Sequence, residues 1–494
     1  MVINMIKVFT NKENYQYDLH SLIKAFYPHK DIKVLNISES KSQSGSEENT
    51  IVVEFYEDRL DICIDVVDNK TDKGKIIYSK AFTLSEDKNE VTKNDYKLAL
   101  YQVLCEYTDK TLPWGNLTGI RPTKLPMGML DNGMSDKEII DNLQKTHAVS
   151  DEKAWLSLDI AKLEKKLLDT IHYKDGYSLY IGIPFCPTTC LYCSFTSYPI
   201  AIWRKRINEY LNALFKEIEF VADLYKDKIL DTVYIGGGTP TTLEAEELDS
   251  LLNKVKEKFD FSNVKEFTVE AGRADSITKE KLEVLKKYGV TRVSVNPQTM
   301  KNETLKFIGR QHTVEQAKEA FRLAREVGFD NINMDIILGL PGEIESDVEN
   351  TINEIKKLNP DSLTVHSLAI KRASRLSQWI EENGMETLNN TDSTMEIAAN
   401  GAKELDMKPY YLYRQKNMSG NFENVGYARE GKYGIYNILI MEEVQTIVAL
   451  GAGSITKRVF EDGRIERCDN VKDVALYIEK IDEMIERKRK LLSE

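Results

Sequence analysis

No apolar run in the 494 residues reaches the roughly 18 that a membrane span requires. Met1 to Asn11 lacks the basic start and apolar core of a secretory signal, so a cytoplasmic protein without a membrane span is expected. Positive charge is in deficit, with Lys and Arg at 67 against Asp and Glu at 79 and a formal net charge of −12. That balance disfavours a surface built mainly for nucleic acid or anionic lipid, and no nucleic-acid partner is expected; a local basic patch stays open. Cysteine is scarce, six in all, which excludes a disulfide framework and fits a compartment that keeps thiols reduced. Three of the six nevertheless fall within eight positions, Cys186, Cys190 and Cys193, while Cys63, Cys105 and Cys468 are scattered. Cys63 in an alternating strand pattern and Cys105 on a helix face read as core positions.

A length of 494 residues suggests about three domains, and 41% hydrophobic with 30% charged residues is a globular balance with material for more than one core. Residues 1–174 read as a mixed domain. Thr50 to Glu57, Leu60 to Val67 and Lys75 to Thr83 are expected as strands of an antiparallel sheet. Asp95 to Tyr107, Asp136 to Gln144 and Glu152 to Asp169 carry helical spacing, with Ser135 and Ser150 as N-caps. Lys41 to Asn49 reads as a mobile loop and Lys110 to Lys124 as an aperiodic connector.

From 175 to 376 strands and helices alternate. Strands are expected at Ser178–Ile183, Thr232–Ile235, Glu266–Glu270, Arg292–Asn296, Asn331–Leu338 and Ser362–His366, with single helices between them. Such alternation implies a parallel sheet with right-handed crossovers. Six units are too few to close an eight-stranded barrel, which leaves a partial barrel or a doubly wound sheet. Residues 377–494 break the alternation and read as a smaller appended domain.

The strongest chemical signal is Ile183-Pro-Phe-Cys186-Pro-Thr-Thr-Cys190-Leu-Tyr-Cys193, a loop that directly follows a strand. Three thiolates at this spacing can hold three corners of an iron-sulfur cube and leave one iron free. Zinc is the alternative, although structural zinc takes four closed ligands and no fourth stands at zinc spacing. Gly236-Gly-Gly-Thr-Pro-Thr241 follows the second strand; it bares backbone groups to a ligand or simply forms a tight turn. Glu270, Gln298, Arg310 and Asp335 recur at successive strand ends, the rim where barrel active sites sit. Each alone has a capping or salt-bridge explanation. Burial of Asp335 among Met334 and Ile336 to Leu338 would be costly unless it is hydrogen-bonded.

With these features in place, the chain resembles the radical S-adenosylmethionine superfamily, and within it the oxygen-independent coproporphyrinogen III oxidase family, over about Tyr180 to Ala369. Leu117-Thr-Gly-Ile-Arg-Pro-Thr-Lys124, Tyr413-Arg-Gln-Lys-Asn-Met and Ala449-Leu-Gly-Ala-Gly-Ser point to its HemZ branch. The resemblance implies an α/β fold: a partial (β/α)6 radical-SAM barrel, an N-terminal α+β domain and a small substrate-covering C-terminal α+β domain. It implies a 4Fe-4S cluster on Cys186, Cys190 and Cys193, and S-adenosylmethionine held by Tyr180, Gly237 and Glu270. Positions matching a second S-adenosylmethionine are Tyr192, Gly238, Thr239, Gln298, Arg310, Asp335 and Ala369. The cofactors would yield a 5′-deoxyadenosyl radical, fed by a flavodoxin- or ferredoxin-type electron donor.

Departures bear on the substrate. Gly182 stands where the family oxidase has His, and Ser194 and Phe195 where it has a further Cys, as in the family's haem-chaperone branch. That branch in turn carries His-Asn and Tyr-Trp where this chain has Tyr436-Asn437 and Ile440-Met441. The implied activity is oxidative decarboxylation of coproporphyrinogen III; the alternatives are haem binding without decarboxylation and radical methylation or ring opening of haem. Arg121, Lys124, Arg414 and Lys416 are candidate propionate contacts, with ordinary surface salt bridges as the competing explanation.

Overall fold

The computed structural model describes residues 5–493 apart from 29, 39–48, 57–58, 67–74, 84–91, 196, 372–373, 385–387, 416–417 and 419–421. Most of the expected loop at Lys41 to Asn49, and Lys416, therefore lie outside the described residues. The chain forms two compact units, Met1–Ala161 and Lys162–Glu494.

The first unit holds a sheet in the order β2-β1-β3-β4-β5, with β1 (Met5–Thr10), β2 (Asp31–Asn36), β3 (Asn49–Phe55), β4 (Arg59–Val66) and β5 (Lys75–Thr83). The expected antiparallel hairpins are β3-β4-β5, while β1 runs parallel to both of its neighbours. A helix over Gln16–Phe26 makes the crossover from β1 to β2 and buries Leu19, Leu22, Ile23 and Phe26 against the sheet core. Side chains alternate along a strand, so with Ile62 and Ile64 in that core Cys63 faces the other way, where its Sγ meets Ser79 Oγ at 3.4 Å. Its expected core position is thus corrected. Ser135 caps the helix Asp136–His147 through a capping box with Glu138.

The second unit is built on β6 (Tyr177–Ile183), β9 (Leu230–Gly237), β10 (Glu266–Gly272), β11 (Arg292–Val295), β12 (Ile332–Leu338) and β13 (Ser362–Ser367), which match the six expected strands. Between β6 and β9, the short parallel pair β7 (Phe185–Cys186) and β8 (Tyr198–Pro199) brackets the cysteine loop. These barrel strands are buried along nearly their whole length, as in a parallel sheet covered on both faces. Residues 377–494, set apart in the sequence, add β14 (Lys408–Tyr413), β15 (Asn424–Ala428), β16 (Thr446–Leu450), β17 (Ile455–Val459) and β18 (Ile465–Asp469) to the same sheet. Its order is β14-β15-β13-β12-β11-β10-β9-β6-β16-β17-β18. β16 pairs parallel with β6, so seven parallel strands run from β16 to β13, flanked by antiparallel strands.

A buried polar cluster fastens this C-terminal part to the barrel. Lys488 Nζ donates to Glu217 Oε1 at 2.6 Å with both side chains fully buried, and Tyr477 OH and the Gly451 N–H donate to the other carboxylate oxygen. A buried ion pair is tolerable only when its remaining hydrogen-bonding capacity is also used, as here. No described helix is long and apolar enough to cross a membrane.

Candidate active site

The cysteine loop is shaped by bonds that do not involve its sulfurs. Leu191 N–H donates to Ile308 O at 2.9 Å, Thr188 Oγ1 to Gly309 O at 2.7 Å, and Arg273 Nη1 to Thr188 O at 2.9 Å. Arg375 adds a further bond to Thr189 O. Cys186, Cys190 and Cys193 are free and half-buried. Burial pushes the Cys186 thiol up to about 11, with a contact to Thr239 Oγ1 at 3.4 Å acting the other way. Loading a metal here therefore displaces protons. Among the described residues no three Cys, His, Asp or Glu side chains converge as they would around one ion. Three free thiols on one braced loop instead suit a polynuclear cluster, in which each iron takes its own sulfur.

The glycine turn packs against this loop. Gly237 has φ +104°, and a Cβ there would lie 3.3 Å from the Ile183 backbone and from the Tyr180 hydroxyl. A Cβ at Gly238 would stand 2.5 Å from Phe185 O, and the Gly238 N–H donates to Ile183 O at 2.8 Å. The turn thus serves close strand-to-loop packing as well as opening the rim.

One cavity of about 380 Å³, at the small end of ligand pockets, gathers the rim. It is lined by the three cysteines and by Tyr192, Gly237, Gly238, Thr239, Glu270, Gln298, Arg310, Asp335 and Ala369. Of the residues singled out in the sequence, Tyr180 is not on the wall; it stands behind Gly237, its ring stacked toward Tyr234 and Tyr436. Arg414, a candidate propionate contact, is buried and does not line the cavity, and Arg121 and Lys124 belong to the first unit. Residues not assigned to the site from the sequence complete the wall: Arg292, Ser294 and Asn296 of β11 and its exit, His366 of β13, Tyr411 from the C-terminal part, and Tyr413, Asn437 and Met441, which the sequence marked only through motif matches and departures. Tyr411 and Tyr413 alternate along β14, a pattern that could have marked an aromatic wall.

Charge in the cavity is distributed unevenly. Burial pushes the Glu270 carboxyl up to about 7; the Tyr234 hydroxyl that donates to it, Arg292 and the Gly237 N–H act against that, while Asp335 adds to it. At Asp335 burial also acts upward, but His366, the Asn333 amide at 2.6 Å and Thr364 outweigh it and hold the carboxyl below the usual range. The cost of burying Asp335 is met by those bonds. Gln298, with φ 67°, sits in the left-handed region rarely adopted by a non-glycine residue and is held there by bonds to Asp335 O and from Ile337 N, each 2.9 Å. Gln298 Oε1 and Arg310 Nε are buried without partners, which suits a ligand with hydroxyl and carboxylate groups. An Asp335→Ala chain is expected to bind S-adenosylmethionine roughly tenfold more weakly with unchanged iron content. Calorimetry and iron assay check this; loss of iron would mark Asp335 as a folding residue instead.

Residues 180–355 match the Radical SAM superfamily. The chain is 44% identical over 407 residues to the oxygen-independent coproporphyrinogen-III oxidase-like protein HemZ of Bacillus subtilis, a match covering 81% of each protein. It is 39% identical over 195 residues to the heme chaperone HemW of the same organism, covering 39% of this chain and 51% of that one. To the heme chaperone HemW of Escherichia coli it is 27% identical, over 59% of this chain and 72% of that one. Among solved structures, coproporphyrinogen III oxidase (HemN) from Escherichia coli superposes with a TM-score of 0.51 at 21% identity, over 65% of this chain and 73% of that one, a likeness of fold.

Proposed function

The chain belongs to the radical S-adenosylmethionine superfamily, among the oxygen-independent coproporphyrinogen-III oxidase-like proteins, and we propose that it oxidatively decarboxylates tetrapyrrole propionates, taking coproporphyrinogen III to protoporphyrinogen IX. Membership of the superfamily implies a 4Fe-4S cluster and S-adenosylmethionine. When bound, these supply a hydrogen-abstracting radical by one-electron cleavage of the sulfonium. The chain's part is to bind, orient and exclude water. Cys186, Cys190 and Cys193 hold the cluster, and Glu270 takes the ammonium of S-adenosylmethionine with Gly237 and Tyr180 shaping its seat. Arg310, Gln298 and Asp335, with Tyr192, Gly238, Thr239 and Ala369 around them, form the seat of a second S-adenosylmethionine. Each propionate must lose one hydrogen atom, carbon dioxide and one further electron, so an electron acceptor is required besides a flavodoxin- or ferredoxin-type donor.

The observation that carries this proposal is a cavity that joins the cysteine loop to rim groups with unsatisfied polar atoms. Anaerobic incubation with dithionite, S-adenosylmethionine, an electron acceptor and coproporphyrinogen III is expected to give vinyl products and 5′-deoxyadenosine together. Deoxyadenosine without any vinyl product would refute decarboxylation.

A second function, haem binding without decarboxylation, is favoured by Ser194 and Phe195, which line the cavity where the oxidase has a further Cys, and by the chaperone relatives. Against it, Tyr436 replaces the chaperone branch's His and is buried in a stack with Tyr234 at 4.4 Å. Stoichiometric haem transfer with no S-adenosylmethionine turnover would decide for this second function.

A further inference from the structure

Three guanidinium groups line the cavity, and they differ in what neutralises them. Arg273 is paired with Asp275 at 2.6 Å. Arg310, at the rim, is the seat given above to a carboxylate of S-adenosylmethionine. Arg292 has neither. It opens β11, is 2% exposed, donates from Nη2 to Ser362 Oγ at 3.0 Å, and leaves Nε without a partner. Among the described residues no carboxylate lies within ion-pair distance of it. The acids whose charge it feels act from beyond ion-pair distance and give their oxygens to other donors: Glu266 accepts the N–H groups of Ile435 and Tyr436, and Glu270 accepts the Tyr234 hydroxyl. Arginine is almost never fully buried unless paired, because its charge is then left uncompensated in a poor solvent.

Arg292 also heads a row. Side chains two apart on a strand share a face, and Arg292, Ser294 and Asn296 all line the cavity, with Nε, Oγ and Oδ1 each buried and unpartnered. Gln298, at the rim, continues the row with its own unpartnered Oε1. The row from Arg292 to Asn296 covers about 13 Å of chain, enough for a polar arm to lie along it. Water can satisfy the neutral atoms, but it does not neutralise the guanidinium.

We propose that Arg292 is the receptor for a carboxylate that the substrate carries into the barrel, with Ser294 and Asn296 receiving the arm that bears it. The identity of that arm as a propionate rests on the function proposed above; the carboxylate chemistry does not. A second source of the same chemistry is the methionyl carboxylate of S-adenosylmethionine, and the test separates the two.

The cluster-loaded protein and its Arg292→Met and Arg292→Lys variants are titrated anaerobically with S-adenosylmethionine, coproporphyrin III and coproporphyrin III tetramethyl ester. Coproporphyrin III affinity is expected to fall roughly 100-fold in Arg292→Met and about tenfold in Arg292→Lys, which keeps the charge but loses the fork. S-adenosylmethionine affinity, which Arg292 reaches only by favouring the Glu270 carboxylate, should fall far less than coproporphyrin III affinity, and the ester, which has no carboxylate, should bind wild type and Arg292→Met alike. If that variant fails to fold, the Lys variant carries the comparison. Undiminished coproporphyrin III binding in the variants overturns the proposal, as does a loss confined to S-adenosylmethionine. Should wild type bind no porphyrin, the tetrapyrrole assignment fails and the site is read with butyrate and succinate: thermal stabilisation of wild type but not of Arg292→Met sustains it, equal responses overturn it.

Discussion

A chain carrying Cys190→Ala is expected to purify folded but colourless, its iron falling from about four atoms per chain to background and its S-adenosylmethionine cleavage abolished. Two thiolates cannot hold a cube that already has only three, so the loss should be complete rather than partial. The loop itself should survive. Its course is fixed by Leu191 to Ile308, Thr188 to Gly309, Arg273 to Thr188 and Arg375 to Thr189, none of which uses a sulfur. Cys190 is half-buried, so removing its sulfur leaves little cavity, and the melting temperature of metal-free protein should differ little between variant and wild type. Iron and sulfide assays after anaerobic reconstitution decide the matter, and unchanged content of both would refute the ligand assignment. Cys63→Ala is the matched control: its sulfur bonds Ser79 in the first unit, and it should reconstitute fully.

What could be read in the chain and what could not divides along sequence distance. The six barrel strands were legible because each strand and its helix are local, and apolar blocks separated by amphipathic helices imply parallel pairing without knowledge of any distant contact. β16 was not legible as a barrel strand, since its partner β6 lies some 270 residues earlier and nothing in Thr446–Leu450 names that partner. The parallel pairing of β1 was missed for a related reason: nothing in Met5–Thr10 names Asp31–Asn36 or the later β3 as its partner, and no run of strand-helix units repeats around it to imply parallel pairing. At the site, residues on strand ends and turns were identifiable because the rim of a barrel is a place in the chain as well as in space. Arg292 was not, because an arginine at the start of a strand is ordinary, and only the fold shows it buried with Nε unpartnered and, among the described residues, no carboxylate within ion-pair distance. Cys63 shows the opposite failure. Alternation along β4 was visible, but which of its two faces meets the core depends on pairing with β3 and β5.

S-adenosylmethionine binding should depend on pH through Glu270. Burial inside the barrel has pushed its carboxyl up to about 7, so near neutrality the free protein holds a proton there about half the time. A bound ammonium favours the carboxylate and lowers that pKa, so binding at pH 6 expels the proton while binding at pH 8 expels none. Affinity is therefore expected to rise with pH up to about 7, approaching tenfold per unit on the acid side, and then to level off. Glu270→Gln should bind roughly 100-fold more weakly at pH 8 and show no such rise, because it offers a hydrogen bond but no charge. Stability should move the other way. A carboxyl whose folded value lies above its unfolded one binds protons more tightly when folded, so its contribution is full below the ordinary carboxylate range and is lost as pH rises toward 7. Ligand-free Glu270→Gln should therefore melt above wild type at pH 8 and close to it at pH 5. Calorimetry in two buffers of different ionisation enthalpy counts the protons released on binding. A flat affinity profile in wild type, or the same slope in the Gln variant, would remove Glu270 from the ammonium seat and leave its raised pKa a property of burial alone.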